Sequence, residues 1–205
     1  MRPLGLLIVG VGGQGVLTVA RVLGDAAVQG GLEVAVGQLH GMAQRGGSVE
    51  ATVVIGRGVH SSFVEQADLV LGLEPLETLR ALPHIGPQTH LVVNLGRVVP
   101  FPLSMQGLPY PDMQGLLDQL RQATPHVTEV DGPALLQQLG DGRSLNLVML
   151  GALARATGLS APPARPAGLQ LFPFDEPTLR AALQRMSPPT RRQADLRAYE
   201  LGLHR

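Results

Sequence analysis

The sequence predicts an α/β fold: three layers, Rossmann-like, with a largely parallel sheet and helices on both faces. Two observations carry this. Short apolar runs of strand length alternate with stretches of helical spacing over residues 1–158. The first run ends in GVGGQG (10–15), a glycine-rich turn that opens directly into a helical pattern. A chain of 205 residues suits one domain with a small appendage and is long enough to bury a core.

Taken in order, LGLLIVGV (4–11) is a continuous apolar run ending in glycine, as a strand buried on both faces would be. Val16, Val19, Ala20, Leu23 and Ala27 then recur at helical spacing until Gly30 and Gly31 close the pattern. LEVAVGQL (32–39) and SVEATVVIG (48–56) read as a second and a third strand. ADLVLGLE (67–74) is a fourth strand, leading into the helix EPLETLRAL, and THLVVNLG (89–96) is a fifth. The prolines at 100, 102, 109 and 111 argue against long regular elements there. HVTEVDG (126–132) is a further strand, and PALLQQLG a helix with proline in its first turn and glycine at its end. SLNLVMLGALARATG (144–158) is a helix whose near-continuous apolarity implies burial, in the core or under a partner. Residues 159–174 have a linker-like, proline-rich composition. Two helices are expected in 175–205, the last with Leu196, Tyr199 and Leu203 on one face. The expected organisation is an α/β domain at 1–158, a linker at 159–174 and a helical extension at 175–205.

Composition excludes several classes. Sixteen arginines balance sixteen carboxylates, so no general attraction to nucleic acid or an acidic membrane is implied. Two tyrosines, four phenylalanines and no tryptophan argue against a base-stacking platform. With no cysteine, this chain cannot form disulfides or hold an iron–sulfur cluster through thiolates. The charge-free stretch between Arg2 and Arg21 superficially resembles a leader or a membrane span, but GVGGQG interrupts it and no cleavage pattern follows. A cytoplasmic protein without a membrane segment is expected.

Two motifs bear on ligands. Gly10, Gly12, Gly13, Gln14 and Gly15 meet the Gly-x-Gly-x-x-Gly count, and the following helix would offer free N–H groups to an anion. A dinucleotide site would add a carboxylate at the end of the second strand, where Gly37, Gln38, Leu39 and His40 stand instead. The turn is therefore a candidate contact for a phosphate or a partner, beside the plain reading of a tight turn that binds nothing. HGMAQRGG (40–47) places His40, Gln44 and Arg45 beside Gly46 and Gly47. Arg45 could clamp a phosphate or carboxylate there, or the glycines could simply reverse the chain. GDG (140–142) echoes a diphosphate–magnesium motif, but Asn146 follows too soon, so a turn between helices is expected. Six scattered histidines give no metal-ligand spacing, and no serine carries a nucleophile-elbow motif. No catalytic residue and no metal ligand are assigned to this chain.

GVGGQGV, HGMAQRGGSV, ADLVLGLEPLE and LNLVMLGAL together resemble the gamma-type subunits and domains of 2-oxoacid:ferredoxin oxidoreductases. Within that family the resemblance is closest to the beta subunits of indolepyruvate enzymes. It runs from about residue 4 to 158 and resumes at ADLRAYELG (194–202), where Asp195 stands in place of the usual asparagine. The resemblance implies a complex that oxidatively decarboxylates a 2-oxoacid, such as indolepyruvate or another arylpyruvate, to an acyl-CoA, passing electrons to ferredoxin. It also implies a partner alpha subunit that carries thiamin diphosphate and iron–sulfur clusters, with coenzyme A as cosubstrate and no cofactor in this chain. His40, Gln44, Arg45, Gly46 and Gly47 would then form a loop contacting the partner or CoA. The competing readings are a stand-alone nucleotide- or CoA-binding regulatory module and a scaffold that only stabilises the alpha subunit.

Overall fold

The computed structural model describes residues 2–40, 46–99, 105–107, 109–159 and 171–205. The chain runs β1 (Leu4–Val11), α1 (Val16–Gln29), β2 (Glu33–His40), β3 (Ser48–Gly56), β4 (Leu69–Gly72) and α2 (Pro75–Arg80). A 3-10 turn (Leu82–His84), β5 (His90–Asn94), α3 (Met113–Ala123) and β6 (Val127–Val130) follow. Four helices finish it: α4 (Gly132–Leu139), α5 (Leu145–Ala156), α6 (Glu176–Met186) and α7 (Arg192–Leu203).

The six strands form one sheet in the order β2-β3-β1-β4-β5-β6. β1, β4, β5 and β6 are parallel neighbours, starting from Leu6 opposite Leu69. β3 runs against both β1 and β2, with Leu4 opposite Ile55 and Glu33 opposite Gly56. The sheet is therefore mixed, with only β3 reversed. The reason lies in the connection at residues 41–47, which is too short for the crossover of a dozen residues or so that a parallel return requires.

Side-chain alternation along β1 divides the core. Leu6 and Ile8 enter one apolar cluster with α1, α4, α5, α6 and α7, while Leu7 and Val9 enter another with α2 and α3. Helices thus cover both faces, as the sequence predicts. Leu179, Ala182 and Leu183 of α6, and Ala198, Tyr199 and Leu203 of α7, belong to the first cluster. So do Phe172 and Phe174, at the end of the proline-rich passage.

One helix has no counterpart in the sequence reading. α3 lies between the proline-rich passage and β6. Asp112 caps it by accepting a hydrogen bond from Gly115 N, and Leu116, Leu117 and Leu120 are its buried face. An aspartate ahead of leucines at this spacing is a helix start signal, masked here by the prolines just before it.

α5 and α7 meet backbone to backbone. A Cβ on Gly151 would stand 2.0 Å from Tyr199 O, and one on Gly202 would stand 1.9 Å from Val148 O. The near-continuous apolarity of α5 is explained by this burial inside the chain, since all its residues from Asn146 to Ala154 are buried.

Candidate functional site

The carboxyl ends of β1 and β4 lie side by side, and their following helices leave on opposite faces of the sheet. α1 leads outward to β2, and α2 leads the other way to β5. Such a divergence opens a crevice where α/β sheets commonly bind ligands. Both sequence motifs converge on this edge, joined by Gly12 N donating to Gly47 O at 2.8 Å.

The glycine-rich turn is held by its own glutamine. Gln14 Oε1 accepts from Val11 N at 2.7 Å, and its Nε2 donates to Leu73 O at 3.1 Å, tying the end of β1 to the residue after β4. Asn94, at the end of β5, donates to the same Leu73 carbonyl at 2.9 Å. Gly10 has no room for a side chain, because a Cβ there would come within 2.8 Å of Gln14 Oε1. Gly15 is left-handed (φ +85°) and faces Asn146 of α5. A Cβ on it would stand 2.5 Å from Asn146 Nδ2 of α5. Gly13 is also at positive φ, but is exposed with open space beyond it.

Of the N–H groups the turn could offer a ligand, those of Gly12 and Gln14 are taken up internally by Gly47 O and Val11 O. Among the described residues, nothing accepts from Gly13, Gly15, Val16 or Leu17 N. Gly46 (φ +74°) and the buried Gly47 lead into β3. His40 is the last residue of β2, opposite Val49, whereas Gln44 and Arg45 lie outside the described residues.

Beside this turn sits a buried acid. Glu74 is fully buried at the N-cap of α2, where Oε2 accepts from Glu77 N and Oε1 accepts from the Tyr110 hydroxyl at 2.6 Å and from Val98 N at 3.3 Å. Burial raises the Glu74 pKa above the ordinary carboxylate value, partly offset by the Tyr110 hydrogen bond and the backbone donors. Tyr110 also accepts from Leu76 N, and burial together with Glu74 raises its pKa. Glu74 thereby pins two points of the proline-rich segment against α2.

GDG forms a turn between α4 and α5, as the sequence predicts. Asp141 accepts from Arg143 N, the Ser144 hydroxyl and, at 2.6 Å, Arg191 Nη2. The Arg143 N–H and the Arg191 guanidinium hold its pKa down. Arg191 also faces Asp195 Oδ1 at 3.4 Å, so the aspartate of ADLRAYELG closes a clamp on the start of α5. Asn146 and Glu74 are the side chains that the sequence reading did not place at this edge. The available signal for Asn146 was a single amide in the otherwise apolar run LNLVMLGAL. A surface hollow of about 710 Å³ includes Arg2, Gly5, Phe63 and Asp68 and none of the motif residues. Among the described residues no histidine or carboxylate cluster is arranged to hold a metal ion, and no helix is long and apolar enough to cross a membrane.

Known proteins resemble this chain along nearly its whole length. The family model described as pyruvate ferredoxin/flavodoxin oxidoreductase matches residues 5–202. Indolepyruvate oxidoreductase subunit IorB of Methanothermobacter thermautotrophicus is 33% identical over 199 residues, covering 96% of this chain and 94% of the relative. Pyruvate oxidoreductase subunit PORC of Thermotoga maritima shares the fold, with a TM-score of 0.68 at 22% identity, covering 100% of this chain and 97% of that one. The 2-oxoglutarate:ferredoxin oxidoreductase of Magnetococcus marinus, with 2-oxoglutarate, coenzyme A and succinyl-CoA bound, shares it at a TM-score of 0.70 and 17% identity. That match covers 98% of this chain and 30% of the longer one.

Proposed function

The chain belongs to the pyruvate ferredoxin/flavodoxin oxidoreductase family, and on that premise we propose that it is the cofactor-free subunit of a 2-oxoacid:ferredoxin oxidoreductase. Its substrate class is the aryl 2-oxoacids, indolepyruvate among them. The observation that carries the proposal is the near end-to-end match to an indolepyruvate oxidoreductase subunit at 33% identity. A stand-alone regulatory module is disfavoured by the same match.

The reaction breaks the bond between C1 and C2 of the 2-oxoacid. C1 leaves as carbon dioxide, the acyl carbon joins the CoA sulfur, and two electrons reduce two one-electron ferredoxins as the thiol proton is released. Thiamin diphosphate, held by a partner alpha subunit, supplies the carbanion chemistry, and iron–sulfur clusters there carry the electrons. This chain's residues do not fit either group. It has no cysteine to hold a cluster, and the one aspartate of GDG is committed to Arg143, Ser144 and Arg191. Its contribution is a surface. The turn Gly10, Gly12, Gly13, Gln14 and Gly15, joined through Gly47 to the loop bearing His40, Gln44, Arg45 and Gly46, faces the partner's active site and the CoA that enters it. The complex works in the cytoplasm.

Co-expression with an iron-containing alpha subunit tests this. The two chains are expected to purify together as a brown, CoA-dependent enzyme, while this chain alone is colourless and inactive. Stoichiometric iron on the isolated chain, or 2-oxoacid oxidation without a partner, would overturn the proposal.

A further inference from the structure

We infer that Asn146 reads a phosphoryl group held between the N-termini of α1 and α5. The inference rests on the reading of this edge as the subunit's ligand-facing side, and it assigns the recognition to a residue outside both motifs. α1 has 14 residues and α5 has 12. Neither receives a side-chain cap, and neither has an acid in its first turn. By contrast α2, α3, α4 and α6 are each capped by a carboxylate: Glu74, Asp112, Asp131 and Asp175. Asp141 bonds the hydroxyl of Ser144 at the start of α5, but Arg191 pairs with it, so the two helix ends that meet at the glycine-rich turn keep their positive character.

Between them lies Asn146, only 7% exposed, with its Nδ2 directed at Gly15, the N-cap of α1. Its amide hydrogen-bonds to no described residue, and unlike Glu77 Oε2 and Tyr199 Oη, the buried polar atoms without a partner, its nitrogen and oxygen are not sealed from the surface, so they stay open to a ligand. The N–H groups of Gly13, Gly15, Val16 and Leu17 on one helix, and of Leu145 and Asn146 on the other, are likewise without acceptors among the described residues. Gly13 leaves the approach open. A phosphoryl dianion brings three acceptor oxygens, matching two helix ends and one amide donor. The clamp of Asp141 and Arg191 on Ser144 holds Asn146 in register for it.

The full chain is titrated with inorganic pyrophosphate, and in parallel with sulfate, while thermal unfolding and backbone amide resonances are followed. Pyrophosphate is expected to raise Tm and to move the resonances of Gly13 to Leu17, Leu145 and Asn146, sulfate far less. Asn146→Asp keeps the side chain's size but sets a carboxylate at two helix N-termini. Its ligand-free Tm is expected to match or exceed that of the wild type, while its pyrophosphate affinity falls about tenfold or more. Asn146→Ala, which removes the donor without adding charge, is expected to lose affinity in the same direction. The inference fails if either variant binds pyrophosphate like the wild type, or if Asn146→Asp is much less stable. An equal response to sulfate would mark an adventitious ion only. Resonance shifts caused by the partner subunit but not by pyrophosphate would mark a protein group as the occupant, and would also overturn it. If the pyrophosphate effect fails while the two subunits still purify together, the inference alone falls; the reverse outcome removes only the proposed function.

Discussion

Gly13 and Gly15 share a turn and a positive φ, yet their surroundings differ. A methyl group on Gly13 would have nothing within 4 Å, so Gly13→Ala costs only the left-handed backbone, about 1–2 kcal/mol. Gly15→Ala bears that cost and also displaces Asn146, adding about 1–3 kcal/mol for overpacking. Urea unfolding of both variants is expected to rank Gly15→Ala as clearly the less stable, and equal losses would show that Asn146 yields freely. Glu74 makes a different prediction. Its folded-state pKa is raised, so the stability it contributes is present below about pH 4.5 and is lost as pH rises through the raised value. Glu74→Gln has no such titration. The stability of the wild type relative to this variant should therefore fall as pH rises from about 4 towards neutrality, whatever constant offset the lost acceptor adds. A difference that stays flat when urea unfolding is repeated across that range would contradict the burial argument.

At the scale of elements, α5 and α7 show packing overruling propensity. Alanine is the better helix former by about 1 kcal/mol, so propensity alone favours Gly151→Ala and Gly202→Ala. In the fold, each new Cβ would collide with a carbonyl of the facing helix, Tyr199 O or Val148 O, which cannot move without separating the helices. Each substitution is expected to destabilise by about 3 kcal/mol or more, the upper end for overpacking. The double variant should lose less than the sum, because one separation relieves both collisions. Chemical denaturation of the three variants checks it; a stabilised Gly151→Ala would mean that the helices do not touch as described.

For the whole molecule, the consequence lies in what folding does not require. Arg45 stands in the loop joined to the glycine-rich turn, so its proposed contact belongs to the assembled enzyme. Because the proposed contact is made to a partner or ligand, Arg45→Ala is expected to leave the isolated subunit within about 1 kcal/mol of wild type. In the complex the same change should lower turnover or apparent CoA affinity, with Arg45→Lys rescuing only part, because a bidentate contact distinguishes the two cations. A large drop in the subunit's own Tm, or unchanged activity on reconstitution, would reassign Arg45 to holding its own loop.

The sequence by itself determined the alternation of strands and helices, the turn after β1 and the lack of thiolate ligands, because each is written in local order: apolar periodicity, glycine spacing, an absent residue type. Apolar runs such as LGLLIVGV and ADLVLGLE declare buried strands without reference to anything distant. α3 was legible too, through Asp112 and its leucines, but its signal is short and follows a cluster of prolines. The tertiary structure decided the rest. It reversed β3, brought Gly47 to Gly12, committed Gln14 to Leu73, buried Glu74 against Tyr110, and set Asn146 of α5 against Gly15 of α1. Gly15 and Asn146 are far apart along the chain, and no local pattern carries their approach. Only the packing of α5 beside α1, fixed by the core that both helices share, brings them together.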